Sequence, residues 1–267
     1  MKRIIIAALL ALAACACQPR LVIVHVNDTH SHFEPLRSGD QAGLGGCIER
    51  AAFVDSIRNV YGEDKVLLLH AGDFSQGTSY FTELEGQFEP KIINDFRYDV
   101  TTLGNHEFDN DIEALEQRIA QFETTKVVCA NIDFSQFGIQ KYITPYTIVE
   151  RGGMKIGIIG LETDLLTNVS RTISSRIPQL DNVEVTNKWA SYLKKEEKCD
   201  LVILLSHLGY KGDLDIVPQV SNVDLVIGGH SHTTCKDFKY VKDASGKKVP
   251  VIQDGCWGLA MGEIKVW

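Results

Sequence analysis

Five short polar clusters in this sequence each directly follow an apolar run, and their side chains are of the types that bind metal ions. The clusters are Asn27-Asp28-Thr29-His30, Gly72-Asp73, Gly104-Asn105-His106-Glu107-Phe108-Asp109, Ser206-His207 and Gly228-Gly229-His230-Ser231-His232. Ligands of open α/β folds bind at the carboxyl ends of the strands. Five polar clusters at five such ends therefore predict one shared site.

The spacing inside two of these clusters places pairs of donors together. Asp28 and His30 are two residues apart, and so are His230 and His232. Side chains two apart on an extended backbone point to the same side, so we expect each pair to face the site together. Glycines such as Gly229 permit tight turns and close backbone approach.

The donors in the clusters are oxygen and imidazole groups without a thiolate, which suits Mn, Zn, Fe or Ni. They are Asp28, His30, Asp73, Asn105, His207, His230 and His232. These side chains are too many for one tetrahedral ion but fit two divalent metal ions if a carboxylate bridges them. Bridged ions about 3.5–4 Å apart clamp the attacking and leaving oxygens of a phosphoryl displacement.

Each cluster alone has a simpler explanation. An Asp-x-His pair arises by chance in many chains, and a single histidine such as His207 is more often buried in the core or at a helix end. The five clusters in order, each after a predicted strand, favour the metal site over these alternatives.

The elements that must position these clusters are predicted from hydrophobic patterning. Near-continuous apolar runs, typical of strands buried on both faces, occur at 21–26, 66–69, 126–129, 155–159, 201–205, 224–227 and 249–252. Helical spacing of apolar residues occurs at 48–60, 111–122 and 185–198. Strands alternating with helices predict a layered α/β domain, which we place at residues 20–267.

The overall composition excludes one class of partner. The 267 residues are 44% hydrophobic and 23% charged, with a formal net charge of −8. An acidic chain without a basic tail lacks the electrostatic footprint of a nucleic-acid-binding protein, so we expect no nucleic acid polymer as a partner.

The first residues are typical of an export signal. Lys2 and Arg3 precede a short apolar stretch, and small residues then lead into Cys15. The pattern resembles a bacterial lipobox, so we expect residues 1–14 to be a lipoprotein-type signal peptide and Cys15 to carry a lipid anchor. The alternative is a plain secretory signal cut near Gln18. Either predicts an exported, periplasmic or cell-surface protein of the bacterial envelope.

Seven cysteines are present, and their spacing matches no Cys-x-x-Cys metal site. Five lie beyond the predicted anchor region, several of them in apolar contexts that favour buried free thiols. One disulfide among them is possible, although the sequence does not select a pair.

The clusters also carry a family resemblance. The stretches VHVNDTHSH, HAGDFSQGTSY, TLGNHEFDN, ITPYTIVERGGMKIGIIGLET and VIGGHSHT resemble the calcineurin-like metallophosphoesterases, and within them the N-terminal domain of the 5′-nucleotidase and UDP-sugar hydrolase family. The resemblance implies a four-layer α-β-β-α metallophosphoesterase sandwich. It also implies a dinuclear-metal hydrolase of phosphate esters, with 5′-nucleotides as the expected substrates and a metal-bound hydroxide as the nucleophile.

The resemblance further implies a role for each donor. The first metal would take Asp28, His30, Asp73 and His232. The second would take Asp73, Asn105, His207 and His230, with Asp73 bridging. The family holds the histidine at the position of His106 with an aspartate three residues on, here Asp109. We therefore expect His106 and Asp109 to be catalytic, and Asn105 and His106 to contact the substrate.

The chain departs from the family pattern after Trp267, where relatives continue into a domain that binds the nucleoside. Three hypotheses follow. The protein is a free-standing phosphoesterase that takes small or loosely held phosphate esters, with 5′-nucleotides as the expected class and UDP-sugars or 2′,3′-cyclic nucleotides as alternative substrates. Alternatively, it is the catalytic half of a split nucleotidase that needs a separate C-terminal-domain protein. A non-catalytic metal-binding interaction protein is the third, which the intact His106–Asp109 pair disfavours.

Three further histidines lie near the clusters. His25 and His70 fall in apolar runs, so we expect them to be core histidines or to support the ligands. His32 follows the first cluster and either faces the substrate or belongs to a surface loop.

Overall fold

Two six-stranded sheets form the centre of the computed structural model, which describes residues 18–267. The first, called sheet I, contains β1 (Leu21–Val26), β2 (Val66–His70), β3 (Val100–Thr102), β4 (Lys126–Val128), β5 (Ile143–Thr144) and β12 (Gly262–Val266). Its spatial order is β12-β1-β2-β3-β4-β5. Strands β1 to β5 are parallel to their neighbours, and β12 closes the edge antiparallel to β1.

The second, called sheet II, has the same size and a similar mixed pattern. It contains β6 (Tyr146–Arg151), β7 (Met154–Leu161), β8 (Leu201–Ser206), β9 (Leu225–Ile227), β10 (Lys239–Lys242) and β11 (Lys248–Ile252). The order is β10-β11-β9-β8-β7-β6, in which the four central strands are parallel and both outer strands are antiparallel. The carboxyl ends of the parallel strands in each sheet therefore all lie at the same end of that sheet.

Helices cover the outer face of each sheet. They are α1 (Cys47–Tyr61), α2 (Ser79–Leu84), α3 (Glu89–Phe96), α4 (Asp111–Ile119), α5 (Leu165–Asn168), α6 (Arg171–Ser174), α7 (Asn182–Lys195) and α8 (Tyr210–Ile216). Helices α1 and α3 pack on β1 and β2, and α4 packs on β4. Helices α7 and α8 pack on sheet II.

Apolar side chains of both sheets fill the space between them. Ile23 and Leu69 of sheet I share this central cluster with Ile158 and Leu205 of sheet II, and none of the four is exposed. Burial on both faces explains why these strands are near-continuously apolar in the sequence. The predicted α-β-β-α layering is confirmed.

Element boundaries differ from the predictions where local interactions decide them. Helix α7 starts at Asn182, three residues before the predicted start, because the Asp181 carboxylate accepts a hydrogen bond from the Glu184 amide at 2.8 Å and caps the helix. The patterning missed β5, β6, β10 and β12, which are short or partly exposed.

Two sequence predictions concern the start of the chain and the cysteines. The signal peptide at 1–14, Cys15 and Cys17 lie outside the described residues. Within residues 18–267, every helix is too short or too polar to cross a membrane. The cysteines in this range are all free: Cys47, Cys129, Cys199, Cys235 and Cys256.

Candidate metal centre and active site

The five polar clusters lie at the carboxyl ends of β1, β2, β3, β8 and β9. Four of them line one cavity of about 400 Å³, and His207 of the fifth is fully buried next to Asp73. The carboxyl ends of strands from both sheets thus supply side chains to one place, as predicted from the position of the clusters after the strands. The cavity is lined by His30, His32, Asp73, Gln76, Gly77, Asn105, His106, His230, His232 and Trp257.

Asp28, His30 and His232 form a first donor group whose ligand atoms all lie within 4.8 Å of one another. The Nε2 atoms of His30 and His232 are 3.7 and 3.4 Å from Oδ1 of Asp28. The two Nε2 atoms are 2.9 Å apart. Two nitrogens and a carboxylate oxygen thus converge on one point.

Asp73, His207 and His230 form a second donor group of the same size. Nε2 of His207 is 3.1 Å from Oδ2 of Asp73. The amide oxygen of Asn105 lies 2.9 Å from Nδ1 of His230, so Asn105 extends this group.

Asp73 lies between the two donor groups. Its Oδ2 is 3.1 Å from Nε2 of His207 and 3.8 Å from Nε2 of His30. Asp28 reaches across as well, with Oδ1 3.9 Å from Nε2 of His207. All seven sequence-predicted ligands are therefore neighbours, and Asp73 has the position that a bridging carboxylate needs.

Backbone carbonyls set the orientation of two ligand rings. Nδ1 of His207 donates to the carbonyl of Ala71 at 2.7 Å, and Nδ1 of His30 lies 3.2 Å from the carbonyl of Ser75. A carbonyl only accepts, so each Nδ1 carries hydrogen and each Nε2 is turned toward the carboxylates. Such a bond fixes the ring that presents Nε2 to a metal.

The buried carboxylates require positive charge between the donor groups. Burial alone would lower the pKa of His207, but the carboxylates of Asp73 and Asp28 raise it well above its ordinary value. Nε2 of His207 is buried 3.1 Å from the Asp73 carboxylate, and in the described part of the chain it makes no hydrogen bond of ordinary geometry. Protons or divalent cations can meet this requirement, and the converging donor set fits two cations.

The ligands sit on tight turns instead of extended backbone. The φ angles of Asp28, His30, Asp73, His230 and His232 are 50°, 48°, 56°, 75° and 52°. The expectation that each Asp/His or His/His pair lies on extended backbone is therefore wrong. Left-handed residues of this kind cluster at functional sites because the surrounding structure holds them there.

Two glycines allow the loops to approach the donors. A Cβ at Gly229 would lie 2.5 Å from the carbonyl oxygen of Ala71 and 2.8 Å from Nδ1 of His207. A Cβ at Gly104 would collide with the Asp73 carboxylate. A side chain at either position would displace a predicted ligand.

His106 lines the same cavity and is bonded to Asp109. Nδ1 of His106 is 2.8 Å from Oδ2 of Asp109, and each side chain is 32% exposed. The hydrogen bond that His106 donates to Asp109 raises the pKa of His106. The His106 backbone amide donates to Oδ1 of Asp73 at 2.9 Å. The imidazolium is thus favoured, and its Nε2 is left for another partner.

Glu107 is a functional residue to which the sequence analysis assigned no role. Its buried carboxylate accepts hydrogen bonds from the amides of Asp73, Ser75 and Gly104 at 2.9, 3.0 and 2.6 Å. It thereby joins the loops after β2 and β3. Burial and the neighbouring Asp73 carboxylate raise the pKa of Glu107 to about 7. The signal for it was its place inside the quoted GNHE stretch.

Gln253 was also missed. Its oxygen accepts from the Thr233 amide at 2.6 Å and from the Ser231 hydroxyl at 2.9 Å, and its nitrogen donates to the carbonyl of Gly229. The fully buried side chain therefore forms hydrogen bonds to both ends of the loop that carries His230 and His232. Gln253 directly follows β11, so the rule that located the other clusters also applies to it.

The remaining histidines have separate environments. His25 is fully buried with Nδ1 2.5 Å from Asp254, and Nε2 of His70 lies 3.0 Å from the Thr29 hydroxyl. Both are core histidines close to the ligand loops, as expected. His32 is partly buried and lines the cavity.

Comparison with known proteins identifies the family of this arrangement. Residues 21–234 match the calcineurin-like phosphoesterase family. The chain is 31% identical to the probable 5′-nucleotidase of Treponema pallidum (strain Nichols) over 99% of its own length and 49% of that protein. It is 31% identical to human 5′-nucleotidase, over 92% of this chain and 46% of the human one.

Solved structures give the same result. A 5′-nucleotidase precursor from Thermus thermophilus has a TM-score of 0.81 and 34% identity, covering 91% of this chain and 50% of that one. The NAD nucleotidase of Haemophilus influenzae has a TM-score of 0.81 and 29% identity, covering 91% and 46%. The chain spans about half the length of these relatives.

The predicted resemblance to metallophosphoesterases with 5′-nucleotidase relatives is confirmed by these matches. The two donor groups also agree with a metal-dependent hydrolase, although the identity of the metals is left open. The family match covers most of the chain and includes every predicted ligand. The chain therefore belongs to the calcineurin-like phosphoesterase family.

Proposed function

We propose that this protein is a metal-dependent phosphoesterase that hydrolyses 5′-nucleotides. The observation that carries the proposal is the meeting of both donor groups and the His106–Asp109 pair at one cavity. The identity to 5′-nucleotidases supports nucleotides as the substrate class.

In this proposal the chain's donors hold two divalent metal ions. Asp28, His30 and His232 would hold the first, His207, His230 and Asn105 would hold the second, and Asp73 would serve both. When bound, the ions supply positive charge against the phosphoryl oxygens and activate the attacking water. Mn, Zn, Fe or Ni all suit these ligands.

His106 would act on the substrate directly, through its free ring nitrogen. Asp109 holds its Nδ1 and favours the imidazolium, so the Nε2–H points away from Asp109. That N–H either donates to a phosphoryl oxygen as charge develops or protonates the leaving oxygen. Asn105 and His106 together fix the phosphoryl group.

A substrate panel tests this function. The purified protein, supplied with Mn²⁺, is assayed with nucleoside monophosphates, UDP-glucose, 2′,3′-cyclic nucleotides and bis-p-nitrophenyl phosphate. The Asp73→Asn variant, purified in the same way, controls for contaminating phosphatases. We expect phosphate release from the nucleoside monophosphates by the wild type alone. Equal activity of both preparations, or activity on none of the esters, would overturn the proposal.

A second polypeptide is the alternative source of nucleoside selectivity. In this alternative a separate C-terminal-domain protein binds the nucleoside, and this chain spans about half the length of its relatives. If such a partner completes the site, its addition lowers the KM for AMP and leaves the hydrolysis of bis-p-nitrophenyl phosphate unchanged. A KM that does not respond to any co-purifying chain contradicts this alternative.

For localisation we propose export to the bacterial envelope with a lipid anchor at Cys15. The support is the sequence pattern of residues 1–15. Mass spectrometry of the mature N-terminus tests it, with a diacylglyceryl Cys15 as the expected result. A Cys15→Ser variant should leave the membrane fraction, and a mature chain that begins at Gln18 would contradict lipidation.

A further inference from the structure

An aromatic pair borders the cavity beyond the metal-binding histidines. The rings of His32 and Trp257 stack at a centroid distance of 4.9 Å and an interplanar angle of 18°. Both line the same cavity as His106 and the donor groups, and both are partly buried. A flat aromatic surface therefore lies beside the place where the phosphoryl group is proposed to bind.

Trp257 is held there by the loops that carry the ligands. Its backbone amide donates to the carbonyl of Asp28 at 2.6 Å, and its φ angle is 60°. The preceding Gly255 donates to the carbonyl of Thr233 at 3.0 Å and accepts from the Asn27 side chain at 2.6 Å. The indole thus keeps a fixed position relative to both donor groups.

His32 is fixed as well. Its Nδ1 lies 2.8 Å from the carbonyl of His30, so the ring is oriented by the residue that carries a predicted ligand. Trp257 does not take part in any of the four apolar clusters that form the described core. A large indole held in a left-handed turn outside these clusters has no evident packing role.

We propose that Trp257, backed by His32, is a platform on which a planar ring of the substrate's leaving group stacks. The proposal rests on the proposed phosphoesterase function and assigns an aromatic ring to the alcohol that leaves, such as the base of the nucleoside released from a nucleoside 5′-phosphate. Bases stack on aromatic side chains with little sequence preference because every base has a π-face. A cavity of about 400 Å³ lies within the range that holds a ligand of this size.

The kinetic test compares an ester with a ring to one without. Wild type, Trp257→Ala, Trp257→Leu and Trp257→Phe are assayed with AMP and with glycerol phosphate. Trp267→Ala, which removes an exposed indole, is the matched control. We expect Trp257→Ala and Trp257→Leu to raise the KM for AMP about tenfold, whereas Trp257→Phe stays near wild type. The kcat/KM for glycerol phosphate should change less than about twofold in all of them.

A binding test is independent of catalysis. Isothermal titration calorimetry of adenosine, which has no phosphate, with the protein in EDTA measures binding of the nucleoside without contacts between phosphate and metal. We expect the affinity for adenosine to fall about tenfold in Trp257→Leu and to survive in Trp257→Phe. Trp257→Leu keeps an apolar side chain, so it serves if Trp257→Ala does not fold.

The outcomes separate the platform from the proposed function. A wild type that hydrolyses neither ester but binds adenosine through Trp257 refutes the function and keeps the platform. Equal losses on AMP and glycerol phosphate, or adenosine binding that does not respond to Trp257→Leu, would refute the platform. Absence of adenosine binding by the wild type would refute it as well.

Discussion

The side-chain oxygen of Gln253 accepts a hydrogen bond at 2.6 Å from the backbone amide of Thr233, the residue directly after His232. On the other side of the same loop, the Gln253 nitrogen donates to the carbonyl of Gly229, directly before His230. One buried side chain thus holds a histidine of each donor group, and this relationship leads to a first prediction.

Replacing Gln253 by alanine should weaken both metal binding and the fold. The variant frees the loop of His230 and His232, so we expect a loss of about 10–100-fold in metal affinity. The lost hydrogen bonds should lower the free energy of unfolding by about 1–3 kcal/mol. Metal titration calorimetry and urea unfolding measure the two effects, with the exposed Gln136→Ala as control. Wild-type metal affinity in Gln253→Ala would contradict this role.

Glu107→Gln should destabilise the protein although it conserves shape. The carboxylate serves three amide donors, and a glutamine oxygen can replace only one of its oxygens. At least one buried N–H is left without an acceptor, which costs about 1–3 kcal/mol of unfolding free energy. Urea unfolding checks this against the exposed Glu123→Gln, which should unfold like the wild type. Equal stability of the two variants would show that Glu107 is not needed to join the loops.

Metal affinity should rise with pH because protons compete for the same nitrogens. Hydrogen bonds to Asp28 and to Cys256 raise the pKa of His232 to about 10, so at neutral pH this ring carries a proton that a metal must displace. His232→Asn removes that proton and keeps an oxygen donor. Calorimetry in buffers of different ionisation enthalpy should count about one proton fewer released by the variant. An unchanged proton count would rule out His232 as the titrating ligand.

The pH dependence of turnover should report His106. Asp109 raises the pKa of His106, so the active imidazolium persists to higher pH and activity is lost as pH rises through that raised pKa. Asp109→Asn removes the carboxylate, so the high-pH loss should move to lower pH. The fall in kcat at neutral pH should be about 10–100-fold. Profiles of kcat against pH measure this, and metal content should stay at the wild-type level. If the high-pH limb of the kcat profile did not move in Asp109→Asn, the proposal that His106 acts as a cation would be contradicted.

The sequence predicted the site better than it predicted its backbone. Polar clusters after strands share an edge in any layered α/β fold, so the neighbourhood of Asp28, Asp73 and His207 followed from patterning alone. The left-handed turns at His30 and His232 did not, because a spacing of two residues is compatible with both an extended strand and a tight turn. Tertiary hydrogen bonds hold these turns: the His30 amide donates to the carbonyl of Asp73 at 3.0 Å, and the Gln253 side chain bonds the loop of His232.

The strands of the fold were likewise predicted only in part. Strands buried on both faces, such as β1 and β8, stand out as apolar runs. Strand β6 is partly exposed along most of its length, and β5 has only two residues. Their pairing with neighbours defines them, and that information is not local in the sequence. Trp257 is similar, because tertiary contacts with Asp28 and His32 place it at the cavity.

The most direct test of the account is a crystal structure of the Mn²⁺-loaded protein with anomalous diffraction. The account predicts two anomalous peaks about 3.5–4 Å apart, with Asp73 contacting both and His232 and His230 contacting one each. Soaking Asp73→Asn crystals under the same conditions should weaken both peaks. A single peak, or two peaks of which Asp73 contacts only one, would contradict the bridged two-metal centre.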